Sequence, residues 1–168
     1  MEHLAGLDEH PLAHQFPCRL PVWWGRFGEV EKDPSERGVS GRKVVLRIPK
    51  QFKRVEAFLA RCFRAPKELR RPLDAMNSLL WELCDGSRTF AEVCVVLDQT
   101  YQEAISPVIQ RTTAALRVFE SQNLMLLLDE PLQQRWMVGP GTTPSHQNLD
   151  PLDVSLRIDA QRMDDEAP

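Results

Sequence analysis

The chain of 168 residues has one tyrosine, only eight glycines and no C-x-x-C pair. Cys18, Cys62, Cys84 and Cys94 lie far apart, and His3, His10, His14 and His146 sit towards the two ends. A zinc site needs ligands at short spacing, so no metal is expected and the thiols read as reduced, in a cytoplasmic protein. His10 and His14 have i, i+4 spacing, but Pro11 follows His10 and no third ligand is near. No apolar run approaches the ~20 residues of a membrane span. The opening MEHLAGLDEHPLAHQFP lacks a basic region followed by an apolar stretch, so no secretory signal is expected. Also missing are G-x-S-x-G, a phosphate-binding glycine loop and H-E-x-x-H. No catalytic residue is therefore assigned, no cofactor is expected, and the chain reads as non-enzymatic. Glu82 and Asp85 read as a surface and a turn residue rather than a catalytic carboxylate pair.

An excess of positive charge is missing from the total, with 21 Lys and Arg against 24 Asp and Glu. The charge is nonetheless segregated. Residues 42–71 carry a net +9, whereas residues 1–41, 72–128 and 129–168 carry −3, −4 and −5. A cationic segment between acidic flanks is an electrostatic docking surface for a partner of opposite sign. Its candidate docking cations are Arg47, Lys50, Lys53, Arg54, Arg61 and Arg64.

The 13 prolines are concentrated towards the two ends and at the joints between elements. Residues 1–20 read as a flexible arm, residues 21–130 as one domain, and residues 131–168 as an acidic, proline-containing tail that is largely disordered. In the tail only Trp136 to Val138 and the VSLRI stretch at 154–158 have local docking or strand character. Within the domain, residues 22–31 and VVLRI at 44–48 read as strands, and 69–73 as a short extended segment. Phe52, Val55, Phe58, Leu59 and Phe63 recur at helical spacing, which predicts an extra basic helix over 51–63. Three helices follow. Asp74 caps the first and Asp85-Gly86 closes it. Thr89 and Glu92 form a capping box for the second, and Ser106 caps the third with Pro107 in its first turn. LMLLLD at 124–129 reads as a closing strand. The fold class expected is α+β: a winged-helix-like domain of short strands packed on three helices.

The order of Leu73-Asp74, an apolar helix, Leu83-Cys84-Asp85-Gly86, Arg88-Thr89-Phe90-Ala91-Glu92-Val93, Tyr101, a third helix over 106–122 and Leu124 to Leu128 resembles the PqqD family. These small peptide chaperones are also called RiPP recognition elements, and the best-matched part is 69–128. The resemblance implies a peptide-binding chaperone of quinone-cofactor or RiPP biosynthesis, with pyrroloquinoline quinone biosynthesis as the family's namesake pathway. A precursor's leader peptide would add as a strand beside the third helix and be presented to a radical S-adenosylmethionine or similar peptide-modifying enzyme. Carried onto this chain, the peptide-binding residues are Leu69, Arg70, Arg71 and Leu73 on the edge strand. On the helix they are Arg111, Ala114, Ala115 and Val118. Pro72 removes one backbone donor from that edge.

Two other readings stand beside it. A winged-helix nucleic-acid-binding regulator would use the same cationic segment to neutralise phosphates, although helix 106–122 offers only Arg111 and Arg117. A generic protein-interaction domain would use its basic face to neutralise its own acidic tail.

Overall fold

The computed structural model describes residues 2–49, 68–145 and 147–166. The basic helix expected over 51–63, and Lys50, Lys53, Arg54, Arg61 and Arg64 with it, lie outside the described residues. The elements are β1 (Phe16–Arg19), β2 (Trp23–Phe27), β3 (Lys43–Pro49), β4 (Glu68–Pro72), α1 (Ala75–Leu83), α2 (Phe90–Tyr101), α3 (Val108–Ser121) and β5 (Met125–Leu128). The fold is α+β: among the described residues there are three α-helices and two small antiparallel sheets, one of order β2-β3-β4 and one pairing β1 with β5.

The helix boundaries follow the cap chemistry. Asp74 accepts the Asn77 N–H at 2.8 Å ahead of α1. Thr89 and Glu92 satisfy each other's backbone N–H groups ahead of α2, a reciprocal capping box. Gly86 has φ +80° just past α1, the left-handed conformation that a side chain disfavours. A β-carbon there would also sit 2.7 Å from Leu132 Cβ. Ser106 does not cap α3. The N-cap residue is Pro107, which has no side-chain cap, and Ser106 Oγ pairs with His3 Nδ1 at 3.2 Å instead.

α1 is the central helix. Every residue from Ser78 to Leu83 is buried, so the single apolar stripe of a surface helix understates it. Glu82, expected at the surface, is 1% exposed. The strands of the larger sheet alternate faces. Trp24 and Leu46 point inward, where Trp24 meets Trp81 of α1 edge-to-face at 6.4 Å and Trp81 meets Phe119 of α3 at 5.7 Å. Trp23 and Arg47, paired across the strands, share the outer face.

Residues 1–20, expected to be a flexible arm, supply β1 and the buried side chains Leu7, Leu12, Ala13 and Cys18. The far side of β1 is bonded to the α1–α2 turn, where Arg19 N–H donates to Cys84 C=O and Gly86 N–H to Pro17 C=O. His10 stacks on Phe90 with ring centroids 5.0 Å apart. In the C-terminal segment Val138 is buried, while Trp136 and Met137 stay exposed. Residues 154–156 form a 3-10 turn rather than a strand, and the one strand-like contact is the bridge between Arg26 and Asp159. Among the described residues, no helix is long and apolar enough to cross a membrane.

Candidate functional site at the β4 edge of the larger sheet

Among the described residues, the sheet order leaves β4 as an edge strand. Leu73 N–H donates to Val44 C=O at 2.8 Å, and the register pairs Arg71 with Leu46 and Leu69 with Ile48. Antiparallel alternation then turns the backbone of Leu69 and Arg71 towards β3, and that of Arg70 and Pro72 outward. Pro72 has no N–H, so the outward edge presents the Arg70 N–H with the carbonyls of Arg70 and Pro72.

The C-terminal end of α3 meets β4, and its middle lies against the start of α1. Arg111, Ala115, Val118 and Gln122 follow one another at helical spacing on a single stripe. The Arg71 guanidinium is hydrogen-bonded to the Gln122 side-chain carbonyl and lies 6.0 Å from the Phe119 ring, which ties β4 to the end of the helix. Leu69 and Val118 are about half exposed, at 50% and 49%. Where β4 gives way to α1, Met76, Asn77, Leu80, Arg111, Thr112 and Ala115 line a cleft of about 180 Å³. Arg111 is steadied at its rim by a 2.6 Å bond to the Ala104 carbonyl. The stripe thus joins a half-exposed apolar strip to an open cleft with an arginine at its mouth.

Six of the eight residues assigned to peptide binding offer exposed or partly exposed side chains along this line: Leu69 and Arg71 on β4, and Arg111, Ala114, Ala115 and Val118 on α3. Arg70 offers only its backbone, because it pairs with Arg47 and turns its side chain to the outer face. Leu73 offers neither. It is 6% exposed, its N–H is used by β3, and its carbonyl accepts the Ser78 hydroxyl at 3.3 Å. Met76 and Asn77 carry no binding signal in the sequence, because α1 starts there as an ordinary capped helix.

Arg47, expected as an exposed docking cation, is buried at 3%. Its guanidinium lies over the Trp23 ring at 4.8 Å, pairs with Glu68 at 2.8 Å and donates to the Asp150 carbonyl at 2.6 Å. The strand alternation that places Arg47 opposite Trp23 is the cause.

A second polar cluster sits inside the molecule. Arg26 Nε donates to Glu82 Oε2 at 2.8 Å, and Ser40 adds its backbone N–H and its hydroxyl to the same carboxylate at 2.9 and 3.1 Å. Burial pushes the Glu82 carboxyl above its ordinary value, against the opposing pull of Arg26 and Ser40. Arg19 donates to the carbonyls of Trp81 and Glu82, neutralising the C-terminal end of α1. Arg19 and Arg26 flank the Trp24 ring at 4.8 and 4.9 Å. The adjoining cavity is about 20 Å³, room for about one water molecule. Its charges are engaged with one another, which is the chemistry of a polar core rather than of a substrate site.

The described cysteines are held away from reaction. Burial pushes the Cys18 thiol up to about 11 and the Cys94 thiol up to about 12, and Cys84 higher still. Thiolates are the reactive form. At pH 8 the native chain is expected to leave Cys18, Cys84 and Cys94 unmodified by iodoacetamide while the urea-unfolded chain takes up label at all three. Peptide mass mapping reads the outcome, and rapid native labelling of any of the three would contradict it.

No family model matches the chain, and no curated protein or solved structure matches it either.

Proposed function

We propose that this chain is a non-catalytic peptide-binding chaperone, a winged-helix-like domain of the PqqD type. It would capture a precursor's leader peptide along β4 and α3 and present it to a peptide-modifying enzyme. The observation that supports this reading is a strand edge without a partner among the described residues, next to an exposed helix stripe that carries Ala114 and Ala115. Strand addition draws affinity from main-chain hydrogen bonds and specificity from alternate side chains. Here the ladder would be short, because Pro72, the next outward position after Arg70, has no N–H to donate. Side chains in the groove then carry much of the recognition. Arg71 and Arg111 along it, with the +9 segment nearby in sequence, favour an acidic peptide.

A display library of peptides of about 12 residues, selected against the full chain, should enrich acidic extended sequences. Val118→Glu, which sets a carboxylate beside the bound strand, should weaken the selected peptides at least about tenfold. Arg70→Pro, which removes the outward N–H, should do the same. Peptides whose binding ignores both substitutions would reject the reading. Retention on duplex DNA with a steep salt slope, and no peptide enriched, would assign the chain to nucleic acid instead.

A further inference from the structure

The opposite edge of the same sheet is occupied by the chain itself. On β2 the outward backbone groups belong to Trp24 and Arg26. Trp24 C=O accepts Gly141 N–H at 2.9 Å, and Arg26 exchanges two backbone bonds with Asp159, each 2.7 Å. Gly25 lies between them. A β-carbon there would sit 2.6 Å from Ile158 Cγ2 and 3.0 Å from the Asp159 carbonyl, so the channel exists only because residue 25 has no side chain. Gly141 is matched to the same segment, since its β-carbon would fall 2.5 Å from the Ala160 carbonyl oxygen.

Cations of the sheet complete the cradle. Arg42 reaches the Asp159 carboxylate at 3.2 Å, Arg47 the Asp150 carbonyl at 2.6 Å, and Arg26 the Gln161 carbonyl at 3.4 Å. The segment they hold, residues 147–166, carries six acidic and two basic side chains. It has little structure of its own: short 3-10 turns at Val154–Leu156 and Asp164–Glu166, and no α-helix or strand. Val154 is 90% exposed, and the Arg42–Asp159 pair is at the surface. A segment held by a few rim hydrogen bonds and one notch opens at lower cost than the sheet beneath it.

We propose that the β2 edge, with its Gly25 notch, is a second strand-accepting site, latched by the chain's own C-terminal segment and open to an acidic extended peptide when that strap lifts. The peptide would pair with the outward backbone of Arg26, seat a β-branched side chain opposite Gly25 and place carboxylates near Arg42. The site shares no residue with the β4–α3 groove and stands or falls separately from it.

The probe is a fluorescein-labelled synthetic peptide of residues 147–166, titrated into full-length chains. Asp159→Pro removes the Asp159 N–H bond and the Arg42 pair, which loosens the strap. This variant should bind the probe at least about tenfold more tightly than the wild-type chain does. Gly25→Ala should also loosen the strap, but it fills the notch and so should show no gain. Adding Val118→Glu to Asp159→Pro should leave the gain intact. Absence of a gain in Asp159→Pro overturns the inference, as does a gain in Gly25→Ala. Loss of the gain with Val118→Glu would place the probe in the β4–α3 groove and overturn it equally. If Asp159→Pro fails to keep the near-ultraviolet dichroism of its buried tryptophans, the wild-type chain decides. Excess unlabelled peptide should then speed amide exchange across residues 147–163, and no change rejects the site.

Discussion

Arg26→Ala is expected to destabilise the fold by about 3–5 kcal/mol, measured by urea denaturation at neutral pH. The guanidinium is 2% exposed and its partner Glu82 is fully enclosed. Removing the cation leaves a buried carboxylate held by the two Ser40 donors, at 2.9 and 3.1 Å. The loss should exceed that of Glu82→Gln, which keeps a hydrogen-bonding group opposite Arg26 without the charge. Arg26→Met with Glu82→Leu should recover most of the stability, because apolar side chains of similar volume avoid the desolvation of both ions. A double variant no better than the worse single one would show that the pair does more than balance charge.

The pH dependence follows from the same site. Burial raises the Glu82 carboxyl above its ordinary 4.5. The folded chain therefore holds that proton more tightly than the unfolded chain does. The stability linked to it is fully present below the ordinary value and is lost as pH rises through the raised one. Glu82→Gln should flatten the stability profile on this rise, and Arg26→Ala should steepen it.

What could be read beforehand was what local chemistry decides. Asp74, the Thr89–Glu92 box and Gly86 satisfy or relax backbone groups within a few residues, so α1 and α2 were legible from short stretches. The β-branched run VVLRI was legible for the same reason. The long-range pairings were not. Glu82 reads as a polar residue on an amphipathic helix until β2 brings Arg26 against it, and those positions are 56 residues apart. Arg47 reads as one cation in a cationic run until Trp23 and Glu68 enclose it. β1 pairs with β5 across more than 100 residues, which no local period announces.

Of the candidate groove, the helix stripe was visible in the sequence and its depth was not. Ala114 and Ala115 read equally as helix formers or as room for a ligand. The cleft beside Met76 and Asn77 exists because α1 begins where β4 ends. The two edges of the larger sheet also differ in a way that composition hides. One is covered by an extended acidic segment seated against glycines, and the other carries Pro72 and the half-exposed Leu69. Open strand edges invite unwanted pairing, and a proline together with a strap are two ways of limiting it. The edge that keeps a donor, at Arg70, is the one beside the α3 stripe.

Trp24→Ala is the second large effect, expected to cost about 3–5 kcal/mol as a fall in the denaturation midpoint. Its ring is wholly buried between Arg19 and Arg26, and its indole N–H donates to the Val138 carbonyl at 3.0 Å. Deletion leaves a cavity bordered by two guanidiniums, which lose an aromatic face as well as packing. Trp24→Phe keeps a face and loses the indole N–H, so it should cost less than the alanine variant. The neighbouring Trp23→Ala separates the two faces of the strand. Trp23 is also buried, at 6%, but its partners are Arg47 and the outer face rather than α1. That substitution should lower the midpoint by less than half as much, while raising amide exchange in residues 147–163, because Arg47 loses the ring that aims it at the Asp150 carbonyl. Equal losses for the two tryptophans would mean that the outer face is as much a part of the cooperative core as the inner one, and that the strap does not open independently.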